Sequence, residues 1–117
     1  IRSGWGAKCD EGDACVGGPT GVPGIGEEVG HWLAEQRIHA AGADSIAFEC
    51  LRPGTGHGLL PVHRIFLVEN GIYIIEAMNL EEISEHRAYE FTLVLVPLNI
   101  FGATGSPVRP LAVVAGD

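Results

Sequence analysis

Cysteine is scarce in this chain: three among 117 residues, at Cys9, Cys15 and Cys50. An odd and small number is unlike a disulfide framework, so reduced thiols in a cytoplasm are the default expectation. Basic residues are few as well. Seven Lys and Arg face fifteen Asp and Glu, a formal net charge of −8 with neutral His. No run of Lys or Arg exists to follow a phosphate backbone, which argues against nucleic acid as a partner. Such a surface repels anions and tolerates cations, metals included. Long apolar runs are missing too, and none approaches the ~18 residues that a membrane-spanning helix needs. Hydrophobic residues at 46% and charged residues at 19% are too apolar a mixture for a disordered tail. These exclusions leave one packed, soluble domain over residues 1–117, on a prior of ~100–200 residues per domain.

Glycine is what the chain has in abundance, 17 residues, most of them in residues 4–30 and in the turns after residue 50. Ile1 to Trp5 reads as the tail of a strand, and residues 6–22 as a surface loop. Pro23-Gly24-Ile25 opens the clearest helix, an amphipathic one that places Ile25, Val29, Trp32 and Leu33 on one face. Ile38 to Ala43 follows as a short buried strand, which suggests half of a βαβ crossover. His63 to Glu76 has two readings. Asn70-Gly71 suits a hairpin, and it equally suits a helix over 63–69 capped by glycine and then a strand over 72–76, the version preferred here. Asn79 to Ile83 predicts a single turn. Tyr89 to Leu98 is the strongest strand pattern, its near-continuous apolar residues predicting burial on both faces. Val108 to Val114 predicts a last strand, with Pro110 marking an edge or bulge. The fold class expected is α/β, with a mixed sheet and one main amphipathic helix.

His63 and Glu76 stand out as the pair able to carry chemistry. Glu76 ends the run Gly71-Ile72-Tyr73-Ile74-Ile75-Glu76. A carboxylate at the end of a buried strand is costly to desolvate unless a cation or hydrogen bonds compensate. A metal is one such cation, and a neutral imidazole is a natural ligand or general base beside it. The bland alternative is a Glu pointing into water and a His at a helix start. Gly102 to Arg109 is a second candidate, because its glycines expose N–H groups and Ser106 and Arg109 suit an anion, although such loops are more often plain turns. Cys9 and Cys15, with Asp10, Glu11 and Asp13, could suggest metal binding or a disulfide, but the spacing matches neither a zinc knuckle nor an EF-hand, and the preferred reading is a solvated acidic loop. Cys50 reads as a semi-buried structural thiol. His57 is a weaker alternative to His63, while His31, His39 and His86 read as surface or packing residues.

The ordered series Ile-Arg-Ser-Gly-Trp, Pro-Gly-Ile, Trp-Leu-Ala-Glu, Gly-Ala-Asp-Ser, Pro-Val-His-Arg, Asn-Gly-Ile-Tyr-Ile-Ile-Glu-Ala-Met-Asn-Leu-Glu-Glu-Ile and Gly-Ser-Pro-Val-Arg-Pro resembles the cyclase family that includes bacterial kynurenine formamidases and isatin hydrolases. The resemblance runs from Ile1 to Val114, the 6–22 loop excepted. It implies a swivelling β/β/α fold, Zn or Mn as cofactor, a homo-oligomer, and hydrolysis of a formamide or lactam-like amide in a small-molecule substrate. By position it implies that His63 is catalytic and that Glu76 is the carboxylate at the metal centre, with Asp44 a structural residue after the buried strand. The family's His-x-Gly-Thr-His-x-Asp-x-Pro-x-His signature is absent, so the chain resembles the C-terminal half alone. Two ligating groups do not fill a four- or five-coordinate site. The alternative is a non-catalytic module that oligomerises or binds a small molecule.

Overall fold

The computed structural model describes residues 1–116 and divides the chain into two compact units, Ile1–Leu80 and the residues from Glu81 onward. The sequence leads to an expectation of one mixed sheet. The described residues instead form two separate two-stranded sheets, one parallel and one antiparallel.

In the first unit, helix α1 (Glu27–Glu35) carries Glu27 and Glu28 in its first turn, where the positive end of the helix dipole favours them. Its buried stripe is rotated from the expected one. Val29 and Trp32 are exposed, whereas Gly30, Leu33 and Ala34 face the core. Gly30 explains the rotation, since a Cβ there would sit 3.3 Å from Val62 Cγ1. The missing side chain lets the neighbouring helical segment approach closely. That segment starts as α2 (Pro61–His63) and continues as a π-helix over Arg64–Asn70. Pro61 suits a first helical position because its missing N–H would be unpaired there anyway. Gly71 ends the segment in the left-handed conformation (φ 64°), so the helix-then-strand version of residues 63–76 is the one that forms.

Strand β1 (Ala40–Gly42) pairs in parallel with β2 (Tyr73–Ile75), in the register Ala40↔Tyr73, Ala41↔Ile74, Gly42↔Ile75. The helical segment crosses between them, a βαβ connection. Ala43, Phe48, Val62, Ile65, Phe66 and Ile72 make the core, with the Phe48 and Phe66 rings 5.5 Å apart and tilted by 47°. A smaller cluster joins Val22, Ala47 and Leu51 under Trp5.

The N-terminal stretch departs from its expected form. Ile1 to Trp5 is no strand, and the 6–22 loop is partly regular, with 3₁₀ turns over Trp5–Ala14, kinked at Gly12, and over Gly18–Thr20. Cys9 and Cys15 are joined as a disulfide, which corrects the expectation of reduced thiols for this pair; Cys50 is free and exposed. Trp5 donates its indole N–H to the Cys15 carbonyl at 2.9 Å. The segment is anchored on Asp44, a buried carboxylate that accepts from Ser3 N–H (2.8 Å), Ser3 Oγ–H (2.7 Å), Gly4 N–H (2.7 Å) and Gly6 N–H (3.4 Å). Asp44 is thus structural, in keeping with the resemblance.

The second unit holds helix α3 (Glu81–Glu85) and an antiparallel ribbon of β3 (Thr92–Val94) and β4 (Leu111–Val113). Only three residues of the expected 89–98 strand pair, and all three are exposed. An apolar run is buried only where another layer packs on it, so composition alone does not bury these residues. No helix among the described residues is long and apolar enough to cross a membrane.

Candidate functional site

Three chain segments of the first unit converge on His63. The first is Phe48 to Leu51, laced to Val22 to Ile25 by backbone hydrogen bonds: Val22 N–H to Leu51 O (2.9 Å), Leu51 N–H to Val22 O (3.0 Å) and Cys50 N–H to Ile25 O (3.0 Å). This lacing holds Glu49, a residue the sequence reading passed over. The second is α2, which carries His63 at its end. The third is the exit of β2. There Ala77 takes a left-handed conformation (φ 52°), and the N–H groups of Ala77 and Met78 donate to the Ser45 and Ala43 carbonyls, both at 3.0 Å. That turn sets Glu76 beside the helix.

The result is a carboxylate–imidazole–carboxylate chain. Glu49 Oε2 lies 2.7 Å from His63 Nδ1, and Glu76 Oε1 lies 3.2 Å from His63 Nε2. The two carboxylates differ in surroundings. Glu49 is 2% exposed, while the Glu76 side chain is 38% exposed and the imidazole lies between them at 22%. Glu49 also accepts backbone donors, Val62 N–H at Oε1 (3.1 Å) and His63 N–H at Oε2 (2.9 Å). His63 therefore holds its proton above the ordinary imidazole value. The hydrogen bond to Glu76 contributes most, burial opposes it, and the hydrogen bond to Glu49 adds to the rise. Near neutral pH such a group can both give and take a proton.

The structure thus brings together His63 and Glu76, the two residues singled out from the sequence, and adds Glu49. The signal for Glu49 was present: it is the one carboxylate in Ile46-Ala47-Phe48-Glu49-Cys50-Leu51, an apolar run like the one that marked Glu76. The other candidates lie elsewhere. His57 is exposed in a loop, and His31 on α1 and His39 just before β1 are exposed at the surface of the same unit. In the second unit Ser106 Oγ accepts from Leu98 N–H (3.1 Å) and donates to the Pro107 carbonyl (3.2 Å), the work of a turn.

The donor set for a divalent ion is thin. Both ring nitrogens of His63 face carboxylates, and among the described residues no three His, Cys, Asp or Glu side chains converge as a metal-holding group. These residues by themselves do not fit Zn or Mn.

A solved structure, the crystal structure of a novel cyclase, is similar to this chain at 43% sequence identity and a TM-score of 0.69. The similarity covers 78% of this chain and 30% of that one, so the chain spans under a third of that protein's length. The matched portion has a cyclase-like α/β fold. No family model matches the chain, and no curated protein does.

Proposed function

We propose that this chain carries the proton-transfer residues of a cyclase-type hydrolase acting on a formamide or lactam-like amide. The observation that carries the reading is the hydrogen-bonded chain Glu49–His63–Glu76, with the cyclase likeness beside it. Amide hydrolysis adds water across the C–N bond. A base removes a proton as the water oxygen attacks the carbonyl carbon, and an acid protonates the departing nitrogen. His63 performs both tasks through Nε2, and Glu76, exposed and within reach of that nitrogen, exchanges the proton with it or with solvent. A site that also used Zn or Mn, as the resemblance implies, would need ligands beyond those the described residues bring together.

The test is turnover of formanilide and lactam substrates by the purified chain in buffer with Zn or Mn, before and after chelation. His63→Ala is expected to reduce hydrolysis by about 10²–10⁴-fold, the usual contribution of a positioned acid–base group, with an unchanged circular dichroism spectrum. Full turnover in that variant refutes the catalytic role of His63. Rates untouched by chelation refute metal dependence.

A second reading rests on another observation. Leu93, Val94, Val96, Leu98, Leu111 and Val113 are all exposed in the second unit. Apolar side chains left exposed to water favour association, so a self-associating, non-catalytic module is the alternative. Light scattering separates an oligomer, which this alternative expects, from a monodisperse monomer, which contradicts it.

A further inference from the structure

We infer that the Cys9–Cys15 disulfide is a redox-sensitive clip: closed, it holds Trp5 over the Val22, Ala47 and Leu51 cluster, and opened by a dithiol reductant, it releases that cover. The inference stands apart from the hydrolase reading and uses no group of the His63 site.

Residues Trp5–Ala14 contain no buried residue, so packing does not fix their path. Hydrogen bonds and the disulfide do. Asp44 anchors the start of the segment through Ser3, Gly4 and Gly6, and the pairing of Val22 with Leu51 anchors its far end. Between these anchors Cys9 and Cys15 close a ring across a sequence separation of 6. The chain turns within it at Gly12 (φ 64°), whose carbonyl accepts from Cys15 N–H at 2.9 Å. The ring thereby fixes the Cys15 carbonyl where the Trp5 indole N–H reaches it, also at 2.9 Å. Lys8, the neighbour of Cys9, rests its Nζ 4.0 Å from the centre of the same indole. Trp5 in turn packs against the small apolar cluster.

Opening the ring removes this constraint and nothing inside the loop replaces it. A cross-link confines a chain that otherwise samples many conformations, and Gly12 widens that choice. Asp10, Glu11 and Asp13 are exposed carboxylates within the ring, and their repulsion extends the freed segment. Access favours attack at one sulfur, because Cys9 is exposed while Cys15 is half-buried. A thiolate of the reductant bonds to Cys9 Sγ, and the S–S electron pair leaves on Cys15 Sγ, which takes a proton. The reductant's second thiolate then closes its own disulfide and displaces the Cys9 thiolate, which is protonated in turn. The protein gains two electrons and two protons, and the dithiol is oxidised to a disulfide.

The experiment uses the full chain carrying Trp32→Phe, since Trp32 is exposed on α1 and its removal leaves Trp5 as the single indole. Reactive thiols are counted, and hydrogen exchange of the Trp5 indole N–H is followed by NMR, before and after dithiothreitol without denaturant. One reactive thiol, Cys50, is expected before reduction and three after it. Indole exchange is expected to quicken by about tenfold or more on reduction, while the amide of buried Ile72, bonded to Phe66 O, keeps its protection. The Cys9→Ser/Cys15→Ser variant is expected to match the reduced chain with no reductant present. Three thiols before reduction overturn the inference, as does a count that stays at one under dithiothreitol. Indole exchange unchanged by reduction overturns it too, because the ring then does not hold Trp5. Loss of Ile72 protection along with that of Trp5 overturns it as well, by showing that reduction unfolds the unit rather than releasing its cover. Should the double variant fail to fold, the reduced and oxidised forms of the Trp32→Phe chain decide by themselves.

Discussion

Replacing Asp44 by Ala is expected to lower stability by about 3 kcal/mol, the upper end for losing hydrogen bonds to a charged group. Asp44 is 1% exposed, and its carboxylate gathers the N–H groups of Ser3, Gly4 and Gly6 and the Ser3 hydroxyl. Hydrogen bonds to a charged group are worth about 1.5–3 kcal/mol, and the donors of the N-terminal stretch would lose their shared acceptor. The contribution depends on pH with a definite sign. Burial pushes the Asp44 carboxyl up, but the hydrogen bonds from Ser3, Gly6 and Gly4 together outweigh it and hold the group below its ordinary 3.8. A carboxyl with a lowered folded pKa stabilises fully above its unfolded value and loses that contribution as the pH falls through the folded one. Urea unfolding of the unsubstituted chain and of Asp44→Asn is therefore expected to give a gap at neutral pH that narrows in acid. A gap of constant size from about pH 7 to about pH 2 would contradict the carboxylate's role.

Gly24→Ala carries the second large effect, expected at about 3 kcal/mol, the upper end of what overpacking usually costs. A Cβ at Gly24 would lie 2.3 Å from the Glu49 carbonyl carbon, 2.5 Å from Phe48 O and 2.6 Å from Cys50 N. All three are backbone atoms, and the lacing between residues 22–25 and 48–51 leaves them little room to withdraw. Phe48 is fully buried and already in the left-handed region at φ 56°, so its own backbone offers no easy relief. The displacement would reach Glu49 and through it the His63 ring, so turnover is expected to fall together with stability. Gly26→Ala is the control, because nothing lies within 4 Å of a Cβ there. Equal urea midpoints for the two variants would show that the close approach at Gly24 constrains nothing.

The site was partly legible in the residues. Glu76 stands out because a carboxylate closing an apolar strand run must find a partner, and His63 supplies one at 3.2 Å. The same logic applies to Glu49, yet the short run of Ile46 to Leu51 has no period that says which side chain points where. The buried stripe of α1 differs from the apolar pattern for a related reason. Counting apolar residues favours Val29 and Trp32, but a helix buries the face that approaches its neighbour most closely, and Gly30 offers that face. Tyr89 to Leu98 shows the limit of composition: an apolar run is buried only where another layer covers it.

By itself, the order of residues determined the local elements: a helix after Pro23-Gly24-Ile25, a turn at Asn70-Gly71, strands around Ala41 and Ile74, and an acidic chain with no basic run. These follow from preferences of neighbouring residues for one another. Tertiary structure alone decided that Glu49 joins His63, that Cys9 bonds Cys15, and that Asp44 collects the N-terminal amides. Those partners lie up to 41 positions apart. They meet because burial forces each charged or polar group to find a counterpart wherever the packed chain brings one.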